Sequence, residues 1–168
     1  MPELSLSFRP SHAALRLALA ALALAGTAPA ASADPGGFFA FAGNFRGVGQ
    51  VQVNDGRRER ITCRATGAVG GAGRTMSQNI VCASDSYRFD IRGQMIASGG
   101  EVSGDWQEAT RGVNGSIAGR LVDDHLSGFV NAIGFTAGFA IRVIGRQMSF
   151  SLRPSGTTVT KVDVQMSR

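Results

Sequence analysis

The chain is poor in the side chains on which most protein chemistry depends. Its 168 residues include two cysteines, two histidines, one tryptophan and one tyrosine. His12 lies in an N-terminal stretch with the marks of a leader, so His125 is the only imidazole of the remainder. Cys63, Cys82 and His125 therefore fall short of the four ligands of a structural zinc site. A nucleophilic thiol needs a nearby histidine or second thiol, and no nucleophile elbow, phosphate loop or metal-ligand spacing occurs. Asp123-Asp124-His125 has the composition of a hairpin turn. No residue is assigned a catalytic, cofactor-binding or metal-binding role, and no enzyme activity is expected. A carboxylate-only hydrolase, built for instance on Asp105 and Glu108, stays open. Long apolar runs are missing too. The longest, residues 17–26, is well below the roughly 20 residues of a membrane-spanning helix. Strands this short, with so few aromatic residues, do not supply the two girdles of an outer-membrane barrel. The chain is expected not to span a membrane.

The N-terminus carries information of another kind. Arg9 and Arg16 precede the apolar run, and small residues lead from it to Ala31-Ser32-Ala33. A basic flank, a short apolar core and an A-x-A site form a secretory signal peptide. Cleavage after Ala33, or after Ala30, places the remainder in the periplasm or outside the cell. The expected division is a signal peptide over residues 1–33, an arm over 34–44 and one domain over 45–168. In an oxidising compartment Cys63 and Cys82 are expected to pair. The closed loop of about 20 residues then contributes on the order of 3 kcal/mol by chain entropy. After residue 33 the chain carries 15 basic and 11 acidic side chains, and Lys161 is the only lysine.

Residues 36–41, Gly-Gly-Phe-Phe-Ala-Phe, form an aromatic lead-in, either a short helix or an extended arm. From Asn44 onward apolar residues alternate with polar ones, and Gly, Asp or Asn interrupts the pattern every 8–12 residues. Phe45, Gly47, Gly49, Val51 and Val53 share one face, and Asn54-Asp55-Gly56 is a hairpin turn. Ile61, Cys63 and Ala65 oppose Arg58, Arg60, Thr62 and Arg64 on the next strand. A glycine-rich loop is expected over residues 67–73, and Met76, Ile80 and Cys82 then alternate. About ten such segments follow one another with short connections. This predicts an all-β fold, an antiparallel meander of about 8–10 strands closing into a small barrel with one disulfide. Gly47, Gly49, Gly104, Gly115, Gly119 and Gly128 fall on the apolar face, where a missing side chain permits sharp coiling or leaves interior space.

Trp106, Glu108, Phe139 and Phe150 are candidate interior or ligand-contacting residues. An inward Glu108 needs a partner, for which Arg120 or Arg142 is available. The plain alternatives are Glu108 pointing to solvent at a strand end and Trp106 as core filling. Arg58, Arg60, Arg64, Arg88 and Arg92, with Arg46, form a candidate basic face suited to lipid phosphates or an acidic protein. It lacks interleaved aromatics, so nucleic acid is not an expected partner.

Phe41-Ala42-Gly43-Asn44-Phe45-Arg46-Gly47 resembles the G-x-W opening of lipocalin-like barrels, with Phe45 at the tryptophan position. Gly43-x-Phe45-x-Gly47, Cys63-Arg64, Val81-Cys82-Ala83-Ser84 and Gly104-x-Trp106-x-Glu108 resemble a group of small exported Gram-negative proteins, a likeness that brings no activity. The order of an aromatic arm, one disulfide and a Trp-bearing strand is similar to that of periplasmic barrels that inhibit metalloproteases. The expected function is non-catalytic binding of an apolar or amphiphilic, including anionic, envelope molecule such as a lipid. The alternative is a protein-interaction barrel, a protease inhibitor or envelope assembly factor, acting through its arm, its 67–73 loop or its arginines.

Overall fold

The computed structural model describes residues 37–168. The expected signal peptide and the first residues of the arm lie outside the described residues. A 3-10 turn, Phe38–Phe41, precedes ten strands: β1 Gly43–Val53, β2 Arg58–Gly70, β3 Thr75–Ala83, β4 Arg88–Ser98 and β5 Glu101–Glu108, then β6 Val113–Val122, β7 His125–Ala132, β8 Phe135–Ile144, β9 Gln147–Ser155 and β10 Val159–Ser167. Each strand pairs antiparallel with its sequence neighbour, and β1 pairs with β10, so the sheet closes into a barrel without an edge.

Inside and outside follow the period of two. In β1 the inward row is Phe45, Gly47, Gly49, Val51 and Val53; in β2 it includes Ile61, Cys63 and Ala65, with Arg58, Arg60, Thr62 and Arg64 outward. The first hairpin turns at Asn54-Asp55-Gly56, where Gly56 adopts a φ of +86° that glycine takes without strain. Cys63 and Cys82 stand directly opposite each other on β2 and β3, and their sulfurs are bonded. The disulfide lies inside the barrel, fully buried.

The in-strand glycines mark close approach of neighbouring backbones. A Cβ on Gly47 would lie 1.9 Å from the carbonyl oxygen of Gln165 on β10, and one on Gly115 would lie 1.7 Å from that of Asn131 on β7. No side chain fits there, so the wall coils tightly at these rows. Coiling, rather than interior space, accounts for them.

One expectation is corrected. The 67–73 stretch is not a loop throughout, because β2 runs to Gly70 in register with β3, and only Gly71–Gly73 forms a 3-10 turn. Gly67 is an inward strand position, where the carbonyl oxygen of Phe41 would sit 2.1 Å from a Cβ. Of its two expected forms the lead-in takes the short helix, a 3-10 turn. Phe38 and Phe41 are completely buried and close one end of the barrel, above Phe45, while β1 begins at Gly43 rather than Phe45. Each buried phenylalanine contributes about 1.5–3 kcal/mol relative to an exposed one. Arg168, just after β10, latches this plug: its guanidinium lies 4.7 Å from the Phe45 ring centre and donates to the Ala40 carbonyl at 2.7 Å. Leu121, Leu126, Met148 and Met76 complete a solidly packed closed half.

Candidate binding site in the barrel lumen

The other half is hollow. A cavity of about 350 Å³ opens at the end formed by the β1–β2, β3–β4, β5–β6, β7–β8 and β9–β10 turns. Its wall is apolar: Ile80, Phe89, Ile91, Met95, Ile117, Val130, Phe139, Ile141, Phe150, Leu152 and Val162 face it. Tyr87, Phe89 and Ile91 are only partly buried although they lie on the inward side, because they border the open cavity.

Trp106 and Phe135 stand against each other on the wall, ring centres 5.5 Å apart. Trp106 is paired with Gly93 on β4 and Gly115 on β6, and two side-chain-free neighbours leave room for the indole to lie along the sheet. Its Nε1 donates to the Asn131 carbonyl at 3.3 Å. Trp106, Phe139 and Phe150 thus line the lumen without filling it.

Glu108 ends β5 at the mouth. It points inward and is 7% exposed. The β5–β6 turn curls over its carboxylate, which accepts from the backbone N–H groups of Asp90 at 3.0 Å, Thr110 at 3.1 Å and Arg111 at 2.8 Å. Burial pushes this carboxyl up, but the bonds from Asp90, Thr110 and Arg111 outweigh it and hold the pKa below the ordinary glutamate value. Its charged partner is Arg111, 3.4 Å away, and not Arg120 or Arg142. Arg120 pairs with Glu101 on the outer wall, and Arg142 also points outward. Asp105 and Glu108 lie on opposite faces of β5, so they do not form a catalytic pair.

Arg111 and Gln78 were not singled out in the sequence. The Arg111 guanidinium sits 5.2 Å above the Phe89 ring, whose neighbour Tyr87 stacks parallel to it. Its only sequence signal is the three-residue spacing from Glu108 across a turn. Gln78 lines the deep part of the lumen at 5% exposure; its Nε2 donates to the Thr66 carbonyl at 3.2 Å, and its Oε1 has no partner. Its signal was an inward polar residue between Met76 and Ile80.

The basic-face residues lie apart from the lumen. Arg58, Arg60, Arg64 and Arg88 are exposed on the outer wall, and Arg46 stands directly opposite Arg64. Arg92 is engaged by Asp90 at 3.1 Å. His125 is exposed at the closed end beside the Asp123-Asp124 turn, and no metal-binding cluster occurs among the described residues.

No family model and no curated protein matches this chain. Several solved structures resemble it, two of them as follows. Rv2717c from M. tuberculosis is 12% identical over 77% of this chain and 93% of that one, with a TM-score of 0.60. A protein of unknown function from the DUF3598 family of Nostoc punctiforme PCC 73102 is 16% identical over 77% of this chain and 48% of that one, with a TM-score of 0.54. At these identities the likeness is one of fold, a ten-strand antiparallel barrel. The lipocalin-like resemblance has no family model behind it, and ten strands exceed the eight of lipocalin barrels.

Proposed function

We propose that the barrel is a non-catalytic binding protein that takes one small apolar or amphiphilic molecule into its lumen, apolar end first. The observation that carries this reading is the 350 Å³ apolar cavity, plugged at one end and open at the other. That size lies within the roughly 300–1,000 Å³ of small-molecule sites. Tyr87, Arg111 and Thr158 at the mouth offer N–H and O–H donors to a head group with acceptor oxygens, a carboxylate or phosphate among them. Glu108 is committed to its turn, which argues against a role in acid–base chemistry. The buried disulfide supports an exported protein.

Native mass spectrometry of gently purified protein, followed by titration with a long-chain fatty acid and a naphthylamine fluorescent probe, tests this reading. A bound lipid or one-to-one probe uptake, abolished by the lumen-filling Val130→Trp, is the expected result. A clean unliganded mass with no uptake of either probe overturns it.

A further inference from the structure

The second feature is the distribution of charge around the barrel, which does not depend on what the lumen holds. The outer wall of β10 and β1 to β4 carries Arg46, Arg58, Arg60, Arg64 and Arg88, none of which has an ion-pair partner among the described residues. Arg92 and Lys161 on the same wall are matched by Asp90 and Asp163. The wall of β5 to β9 has Arg120, Arg142 and Arg153 against Glu101 and Asp105, close to neutral. The excess positive charge is therefore gathered on one side.

The fold does not require this arrangement. Arg46 and Arg64 are directly opposite each other across β1 and β2, a like-charge placement that disfavours strand pairing. Along β2 the array runs about 20 Å, and from β1 to β4 it spans about 14 Å, by the ordinary strand rise and spacing. Arg58 and Arg60 lie about 7 Å apart and Arg46 faces Arg64 at one strand spacing, each pair within a Debye length of about 8 Å, while the two pairs are about 13 Å from each other and couple more weakly. The face has no aromatic residue for stacking, and its large exposed hydrophobics, Val48 on β1 and Ile96 near the end of β4, stand three strands apart and form no patch. A protein interface is built around buried aromatic or apolar anchors, which this face lacks.

We infer that this wall docks the barrel sideways onto a bilayer surface rich in anionic phospholipid. Lipid phosphates in a fluid layer rearrange to meet a dispersed array of guanidinium groups on a convex wall without a matching groove. Arginine suits phosphate through its planar fork of donors. Adsorption is electrostatic, with no apolar insertion.

Co-flotation tests this, using protein in the form recovered from expressing cells and vesicles of phosphatidylcholine with or without one-third phosphatidylglycerol. The protein is expected to bind the anionic vesicles at low salt, to leave them at about 0.5 M salt, where screening is nearly complete, and to ignore the neutral ones. Each arginine near such a surface is worth about a fivefold change in partitioning, so R46Q/R60Q/R64Q should bind on the order of a hundredfold more weakly. R120Q/R142Q/R153Q removes the same charge from the other wall and should lose only a few-fold. Single reversals, R60E and R64E against R142E, give the same comparison if a triple variant misfolds. Absence of binding to anionic vesicles, equal losses from the two walls, binding that survives high salt, or capture of an acidic protein without any vesicle binding overturns the inference.

Discussion

Replacing Gly115 by alanine adds one methyl group where the structure has no room for it. The new Cβ would lie 1.7 Å from the Asn131 carbonyl oxygen and 3.0 Å from Nε1 of Trp106. Those two atoms are the acceptor and donor of one hydrogen bond, so β7 must move away or Trp106 must turn, and either movement breaks the bond. Overpacking of this kind costs about 1–3 kcal/mol, and the lost bond about 0.5–1.5 kcal/mol. The sum is about 2–4 kcal/mol, which for the 132 described residues lowers Tm by about 7–15 °C at an unfolding entropy of about 2.1 cal/mol/K per residue. Thermal melts by circular dichroism measure the loss. The fluorescence of Trp106, the only tryptophan, reports its cause, and its emission should shift to the red in the folded variant. Gly138→Ala is the control: its Cβ faces outward and would meet the Phe129 ring at an ordinary 3.6 Å. It should change stability by no more than about 0.5 kcal/mol. Equal melting temperatures for the two variants would refute backbone approach as the reason for the inward glycines.

Other substitutions probe the remaining supports. C63A/C82A should lower the urea midpoint by the equivalent of about 3 kcal/mol; a shift below a third of that would mean that hairpin pairing alone already restrains the loop. Phe41→Ala should cost about 3–5 kcal/mol, and a melt within a degree of wild type would show that the plug is not part of the core. Glu108 has a depressed pKa in the folded state, so its stabilisation is present above the ordinary glutamate value, about 4.3, and fades as pH falls through the lower folded value. Glu108→Gln should therefore be about 1–3 kcal/mol less stable at pH 7, with the gap to wild type narrowing in acid. A gap independent of pH would remove the carboxylate charge from the explanation. R58Q/R60Q/R64Q should melt at or slightly above the wild-type temperature, because exposed like charges repel; a marked drop would reveal a structural network among them.

The period of two made the inward and outward faces of β1 and β2 legible residue by residue, because one face of each strand is clearly polar. The disulfide was legible for the same reason: Cys63 and Cys82 fall on the inward faces of consecutive strands. What could not be read depends on atoms distant in the chain. Whether Gly47 makes space or permits contact is decided by Gln165, which reaches it only when the barrel closes. Phe38 and Phe41 were placed on a possible arm because their burial rests on an opening that ten strands create. For Glu108 the sequence leaves two readings, an inward charge partnered by Arg120 or Arg142 and a strand-end carboxylate pointing to solvent; the side chain is inward at the strand end. Its partners are two backbone N–H groups and Arg111 in the turn beyond it, and the N–H of Asp90 on β4. Arg92, expected on the basic face, is held by Asp90 two positions away on the same face of its strand.

The pairing of β1 with β10 has a kinetic side. Arg46 meets Ser167, so the seam joins the two ends of the barrel sequence. Hairpins from β1–β2 to β9–β10 can form in order as the chain becomes available, each closing a short loop. The seam closes a loop of nearly the whole domain, and until then β1 offers a bare row of N–H and C=O groups to any other strand. Folding of this barrel should therefore be slow for its size, in the millisecond-to-second range of domains dominated by non-local pairing. A chain cut before β10 would leave β1 and β9 as permanent edges and would associate with its own copies rather than remain a nine-strand monomer.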